Sequence, residues 1–111
     1  MNSYNKYTDL QINELVATRL KKKCLLTEES VLAYMDSGYR TFAPCNNPTD
    51  AMPIIIENKI SLRSPTITDR WKAEFVDEYG NYVGYIRALN KNPLRACMEV
   101  FLMMKDAENE G

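Results

Sequence analysis

Histidine is missing from this chain of 111 residues. Its absence removes the side chain that most often serves as general base, as partner of a nucleophilic serine or cysteine, and as zinc ligand. Cysteine is scarce. Cys24, Cys45 and Cys97 are widely spaced, odd in number and form no C-x-x-C pair, which argues against zinc frameworks and secreted disulfide scaffolds. The glycines, Gly38, Gly80, Gly84 and Gly111, are too scattered for a phosphate-cradling loop. No Walker pattern, nucleophile elbow or deaminase pattern occurs. No apolar run approaches the roughly 18–20 residues of a membrane span, and MNSYNKYTDL lacks the apolar centre of a signal peptide. These absences predict a non-enzymatic protein with reduced thiols, without cofactor or metal, that stays off membranes and in the cytoplasm where it is made.

An excess of charge is also lacking. The 14 basic and 15 acidic side chains leave a formal charge of −1. That balance argues against a broad phosphate-binding surface and so against nucleic acid as a partner. The run Lys21-Lys22-Lys23 reads as a solvated helix end, where cations complement the helix dipole. What remains is ordinary for a globular chain, with 45% apolar and 26% charged residues. Residues 1–111 are read as a single domain, long enough to bury a core.

Thr8 and Gln11 stand at capping-box spacing, with Asp9 in the first turn. Ile12, Leu15, Val16 and Leu20 then mark one face of a helix over 9–22, with Asn13 on the other. Residues 24–43 admit two readings. A short helix could start at Thr27 and stop at Gly38, or Val31–Tyr34 and Tyr39–Phe42 could form a hairpin across Asp36-Ser37-Gly38; the extended reading fits the residues slightly better. A second helix is expected over 49–58, capped by Asn47 with Pro48 at its first position, or by Thr49, which would leave Pro53 in the first turn. Alternation predicts strands at 60–64, 71–76 and 82–88, the last two joined as an antiparallel hairpin through Asp77–Asn81. Asn92-Pro93 opens a final helix over 93–105, with Leu94, Cys97, Met98, Phe101 and Leu102 as its stripe and Arg95, Glu99 and Lys105 elsewhere. The predicted fold is α+β, a small antiparallel sheet packed with helices. Trp71, Phe75, Ile55, Leu94 and Phe101 are expected at the centre of its core. The N-terminus (1–6) and the acidic tail (106–111) are expected to fray.

Two groups of residues are candidates for binding. The loop Cys45, Asn46, Asn47, Thr49 and Asp50 gathers polar groups at a helix start, where an anion or a partner backbone can dock, although Asp50 opposes an anion and capping accounts for most of the set. Cys45 is a reactive thiol if a helix N-terminus lowers its pKa, and otherwise a small buried side chain. Tyr79, Tyr82 and Tyr85 cluster around the predicted hairpin, and tyrosine is common in binding surfaces, as it is in strands. Paired carboxylates at Glu28/Glu29 and Asp77/Glu78 are adjacent and point apart, a poor arrangement for acid–base catalysis.

The stretch Pro44-Cys45-Asn46-Asn47-Pro48-Thr49-Asp50-Ala51-Met52-Pro53-Ile54-Ile55-Ile56-Glu57-Asn58 resembles the signature of the NinX-like family of small phage proteins, P-C-N-x-P-x-D-A-W-P-I-I-x-E-N. A second block, Asn90-Lys91-Asn92-Pro93-Leu94-Arg95-Ala96 followed by Val100–Met104, and the helix Gln11–Ala17 also fit. Met52 departs from it, standing where the family often has tryptophan. The resemblance implies an accessory protein of a lambdoid phage or prophage, with helices flanking a short antiparallel sheet, and it carries no catalytic residues across. The resulting expectation is a protein that binds and modulates a host macromolecule, counter-defence being one form. The alternative is a small-ligand binder that sequesters a nucleotide signal, with the Asn-rich helix start and Arg40 or Arg95 holding the phosphate. The oligomeric state stays open.

Overall fold

Thr8 and Gln11 form the reciprocal capping box in the computed structural model, which describes residues 3–76 and 79–110. The Thr8 hydroxyl accepts from the Gln11 N–H at 3.1 Å, and the Gln11 side chain accepts from the Thr8 N–H at 2.8 Å. Helix α1 (Asp9–Arg19) follows and ends earlier than the expected 22. Lys21 adopts a left-handed φ of 57°. Its N–H donates to the Thr18 carbonyl, and that of Lys22 to the Ala17 carbonyl, the paired bonds of a Schellman motif.

Residues 24–43 take the extended alternative. Strands β1 (Cys24–Leu26), β2 (Val31–Met35) and β3 (Gly38–Thr41) form an antiparallel sheet in the order β1-β2-β3. Gly38, at φ 124°, makes the β2–β3 turn. The fold therefore has two small sheets, where the strand pattern predicted one. The second contains β4 (Ile60–Arg63), β5 (Trp71–Val76) and β6 (Tyr82–Asn90), antiparallel and in sequence order. Asp77 and Glu78 lie outside the described residues.

Helix α2 (Pro48–Glu57) starts on Asn47, whose side chain accepts from the Thr49 N–H. That settles the cap in favour of Asn47 and places Pro53 inside the helix. Pro53 has no N–H for the Thr49 carbonyl, and both residues are exposed, so water can serve it. Like α1, α2 ends on a left-handed lysine, Lys59 at φ 54°.

Helix α3 (Pro93–Glu110) is the centre of the molecule. It packs on β4, β5 and β6 and also meets α1 and α2. Every residue from 95 to 104 is buried, so this segment is apolar on all sides apart from Arg95 and Glu99. The core joins Phe101, Ile12, Met98, Leu102 and Val16 from the helices to Val31, Ala33, Ala73 and Ile86 from the sheets. Phe101 and Ile55 are buried as expected, and Phe75 and Leu94 pack at the core's margin. Trp71 is only half-buried. It begins β5 opposite Asn90, the last residue of β6, and so stands at the end of the sheet.

Tyr4 and Asp106 meet across the fold. Tyr4 is buried within a 3-10 turn, Tyr4–Lys6. Its hydroxyl donates to Asp106, which also pairs with Arg19 at 2.6 Å. Helix α3 thus runs on through 106–110 and is tied at Asp106 to Tyr4. Among the described residues no helix is long and apolar enough to cross a membrane.

Candidate functional site

Asn92 organises the start of α3. Its side-chain oxygen accepts from the N–H groups of Leu94 and Arg95 at 2.9 and 3.3 Å, which is ordinary N-capping. Its amide nitrogen donates to the Cys45 carbonyl at 2.6 Å. The Cys45 N–H donates to the Asn13 side chain at 3.0 Å. The loop between β3 and α2 is thus held through both backbone groups of Cys45, to α1 on one side and α3 on the other. Asn13, predicted to face away from the helix stripe, is buried for this reason.

Arg95 lies one turn below, only 5% exposed. Its Nε donates to Glu99 at 2.6 Å and its Nη1 to Asp9 at 2.7 Å. Its Nη2 donates to the carbonyls of Tyr4 at 3.0 Å and Tyr7 at 2.6 Å. Burial opposes the guanidinium's charge, but the bonds to Asp9 and Glu99 more than offset it and hold its pKa above the ordinary value. Asp9 also accepts from the Asn46 amide at 3.2 Å. The planar fork of arginine allows one side chain to join the first turns of the chain to α3.

Burial pushes the Cys45 thiol up to about 12, with the nearby Asp9 charge adding to the effect and Arg95 opposing it. It is therefore neutral near pH 7 and a poor nucleophile. Burial likewise raises Cys97 to about 11. Among the described residues no three His, Cys, Asp or Glu side chains are arranged to hold a metal ion.

Of the residues proposed from sequence, Cys45, Asn46 and Arg95 come together in this network. Asn47 and Asp50 do not join it. Asn47 caps α2, and Asp50 accepts from the Ala43 N–H at 2.9 Å. Tyr79 stands on the β5–β6 connection, 80% exposed. The side chains of Tyr82 and Tyr85 lie outside the described residues. Sequence reasoning missed Asn13, Asn92 and Glu99 as network members. The signal for Glu99 was present: it is the one charge between Ala96 and Met104, and a buried charge requires a partner such as Arg95, one turn earlier.

The exposed side chains are of a different kind. On the sheet β1-β2-β3, Leu25 pairs with Leu32 and Tyr34 with Tyr39, positions that share one face. The two tyrosine rings meet edge-on at 5.4 Å, with Lys23 Nζ 5.2 Å from the Tyr34 ring. Leu25, Tyr34 and Tyr39 are all exposed.

The segments that carry the sequence resemblance therefore touch, Asn92 to Cys45 and Arg95 to the start of α1. The family model described as Bacteriophage P22, NinX matches residues 3–105. No curated protein matches the chain.

Proposed function

Because the chain belongs to the Bacteriophage P22 NinX family, we propose that this small phage protein acts without catalysis, by binding and modulating a protein of the bacterial host in the host cytoplasm. One observation carries the reading. Among the side chains with chemical potential, the Cys45 thiol is buried, and Arg95, Glu99 and Asp9 are engaged in holding the fold together, whereas the surface presents Leu25, Tyr34 and Tyr39 on one sheet face. Aromatic and apolar side chains of this kind anchor protein interfaces. Blocking a host antiviral complex is one form such binding takes.

The alternative, sequestration of a nucleotide signal, receives less support. It relied on Arg95 or Arg40 beside the Asn47 helix start. Arg95 is buried and already donates to four protein groups, which leaves Arg40 alone to hold a phosphate.

Affinity capture from phage-infected cells tests the reading, using the wild-type chain and a variant carrying Leu25→Ser and Tyr34→Ser. The expected result is a host protein retained by the wild type and lost with the variant. Recovery of no specific protein, together with a thermal shift on adding micromolar nucleotide, would favour the alternative.

A further inference from the structure

Strand β3 is an edge of its sheet. Its register pairs Leu32 with Thr41, Ala33 with Arg40 and Tyr34 with Tyr39, and the Phe42 N–H donates to the Val31 carbonyl at 2.8 Å. Hydrogen-bonded and non-bonded pairs alternate along an antiparallel ladder. Bonding at Phe42 therefore puts Arg40 in the next bonded pair and turns the N–H and C=O groups of Tyr39 and Thr41 away from β2. The next outward N–H in this series, that of Ala43, is taken by Asp50 of α2. The open edge thus begins where α2 is fastened to it.

Beside this edge lies a groove of about 470 Å³. Arg40 and Phe42 form its wall on the strand side, Leu20 and Lys22 close it from the end of α1, and Ile54 and Glu57 face it from α2. Lys22 Nζ lies 5.2 Å from the Phe42 ring, so the two cations, Lys22 and Arg40, stand at the strand wall and the α1 end, while the carboxylates of the groove, Asp50 and Glu57, come from α2, Asp50 being bound to the Ala43 N–H. Arg40 is exposed and makes no ion pair among the described residues. Open ladder groups next to a groove between a strand and a helix are the arrangement that captures extended peptides by strand addition.

We propose that β3 receives an extended segment of the partner protein as an added strand, with an apolar side chain seated over Phe42 and Ile54 and an acidic side chain against Arg40 and Lys22. The backbone of Tyr39 and Thr41 supplies the ladder. Successive side chains of an extended segment point to opposite faces, so every second one enters the groove and the others run beside Tyr39. This inference rests on the protein-binding reading and names the chemistry of the partner.

The test uses the full chain and a library of displayed random peptides. Selected peptides are expected to share an apolar residue near an acidic one, and to protect the Tyr39 and Thr41 amides from hydrogen exchange. Thr41→Pro removes one outward N–H and should weaken them about tenfold, whereas Thr41→Val keeps the N–H and should bind as the wild type does. Arg40→Glu should weaken acidic peptides and leave the melting temperature unchanged, which keeps the test decisive if the proline variant fails to fold. Peptides that bind Thr41→Pro and Arg40→Glu as tightly as the wild type, or that protect another strand, would overturn the proposal, as would a library yielding no binder. Capture of a host protein unaffected by Arg40→Glu would overturn the edge as the site and leave host binding standing. Peptide binding at β3 with no host protein captured would do the reverse.

Discussion

Arg95 and Asp9 are separated by 86 residues in the chain and meet at 2.7 Å. The contact closes the fold, because the same guanidinium reaches the carbonyls of Tyr4 and Tyr7 and, on its own helix, Glu99. Removing one partner of a buried pair leaves an uncompensated charge, at a cost of about 3–5 kcal/mol. Arg95→Ala is therefore expected to lose that much stability in urea unfolding, a large share of the roughly 5–15 kcal/mol typical of a domain. Arg95→Lys should restore only part of it, since an ammonium cannot span the acceptors that the fork reaches. A Lys variant as stable as the wild type would show that charge alone suffices.

Thiol labelling separates the three cysteines. Cys45 and Cys97 are buried, with pKa values raised to about 12 and about 11, whereas Cys24 is half-buried. In the native protein at pH 8, Cys24 should react first with a thiol reagent, and the other two only on unfolding. Modification of Cys45 at a rate matching Cys24 would reopen its assignment as a reactive group.

The same burial fixes the sign of an alkaline effect. Tyr4 is raised to about 12, chiefly by burial and then by its bond to Asp106, so Tyr4, Cys45 and Cys97 all hold their protons more tightly when folded. Each contributes stability that is complete below its unfolded value, 9.0 for cysteine and 10.0 for tyrosine, and is lost as pH rises toward the folded value. The melting temperature should fall between about pH 9 and 12, and Cys45→Ala should flatten that fall.

Much of this structure is legible in the residues. The capping box at Thr8, the proline-led helices at Asn47 and Asn92 and the alternation in β5 are local signals, and the helices and strands form where these place them. Arg95, Asn46 and Cys45 also stand out in the sequence, as candidate binding residues, with burial the other reading for Cys45. The contacts they make are to Asp9 and Asn13, which α1 brings from the far end of the sequence, and no local pattern reports such a contact. The second sheet was half visible for a similar reason: β1 has three residues, too few for alternation to mark, and exists through its pairing with β2.

Lys21 offers a test of backbone strain. Its φ of 57° is a region that glycine enters freely and other residues enter at a cost of roughly 1 kcal/mol. Lys21 is exposed and ends the helix through its backbone alone. Lys21→Gly should leave the fold intact and raise stability by up to about 1 kcal/mol, read from the urea midpoint at constant slope. The same change at Glu14, inside α1, should lower it by a similar amount.

Asp106 carries the clearest difference between the residues as a pattern and the residues as a structure. In sequence it opens an acidic, apolar-poor tail. In the fold it accepts from the buried Tyr4 and pairs with Arg19, joining α3 to both the first turn and α1. Asp106→Ala would remove the bond between the Tyr4 hydroxyl and that carboxylate, a loss of about 1–3 kcal/mol. Glu108, two residues on, pairs with Lys105 at 3.4 Å in a far more exposed setting, where such pairs contribute about 0–1 kcal/mol. Asp106→Ala should therefore lower the urea midpoint clearly while Glu108→Ala barely moves it. Equal effects from the two substitutions would mean that the tail contributes only its charge and that the Tyr4–Asp106 bond adds nothing to the fold.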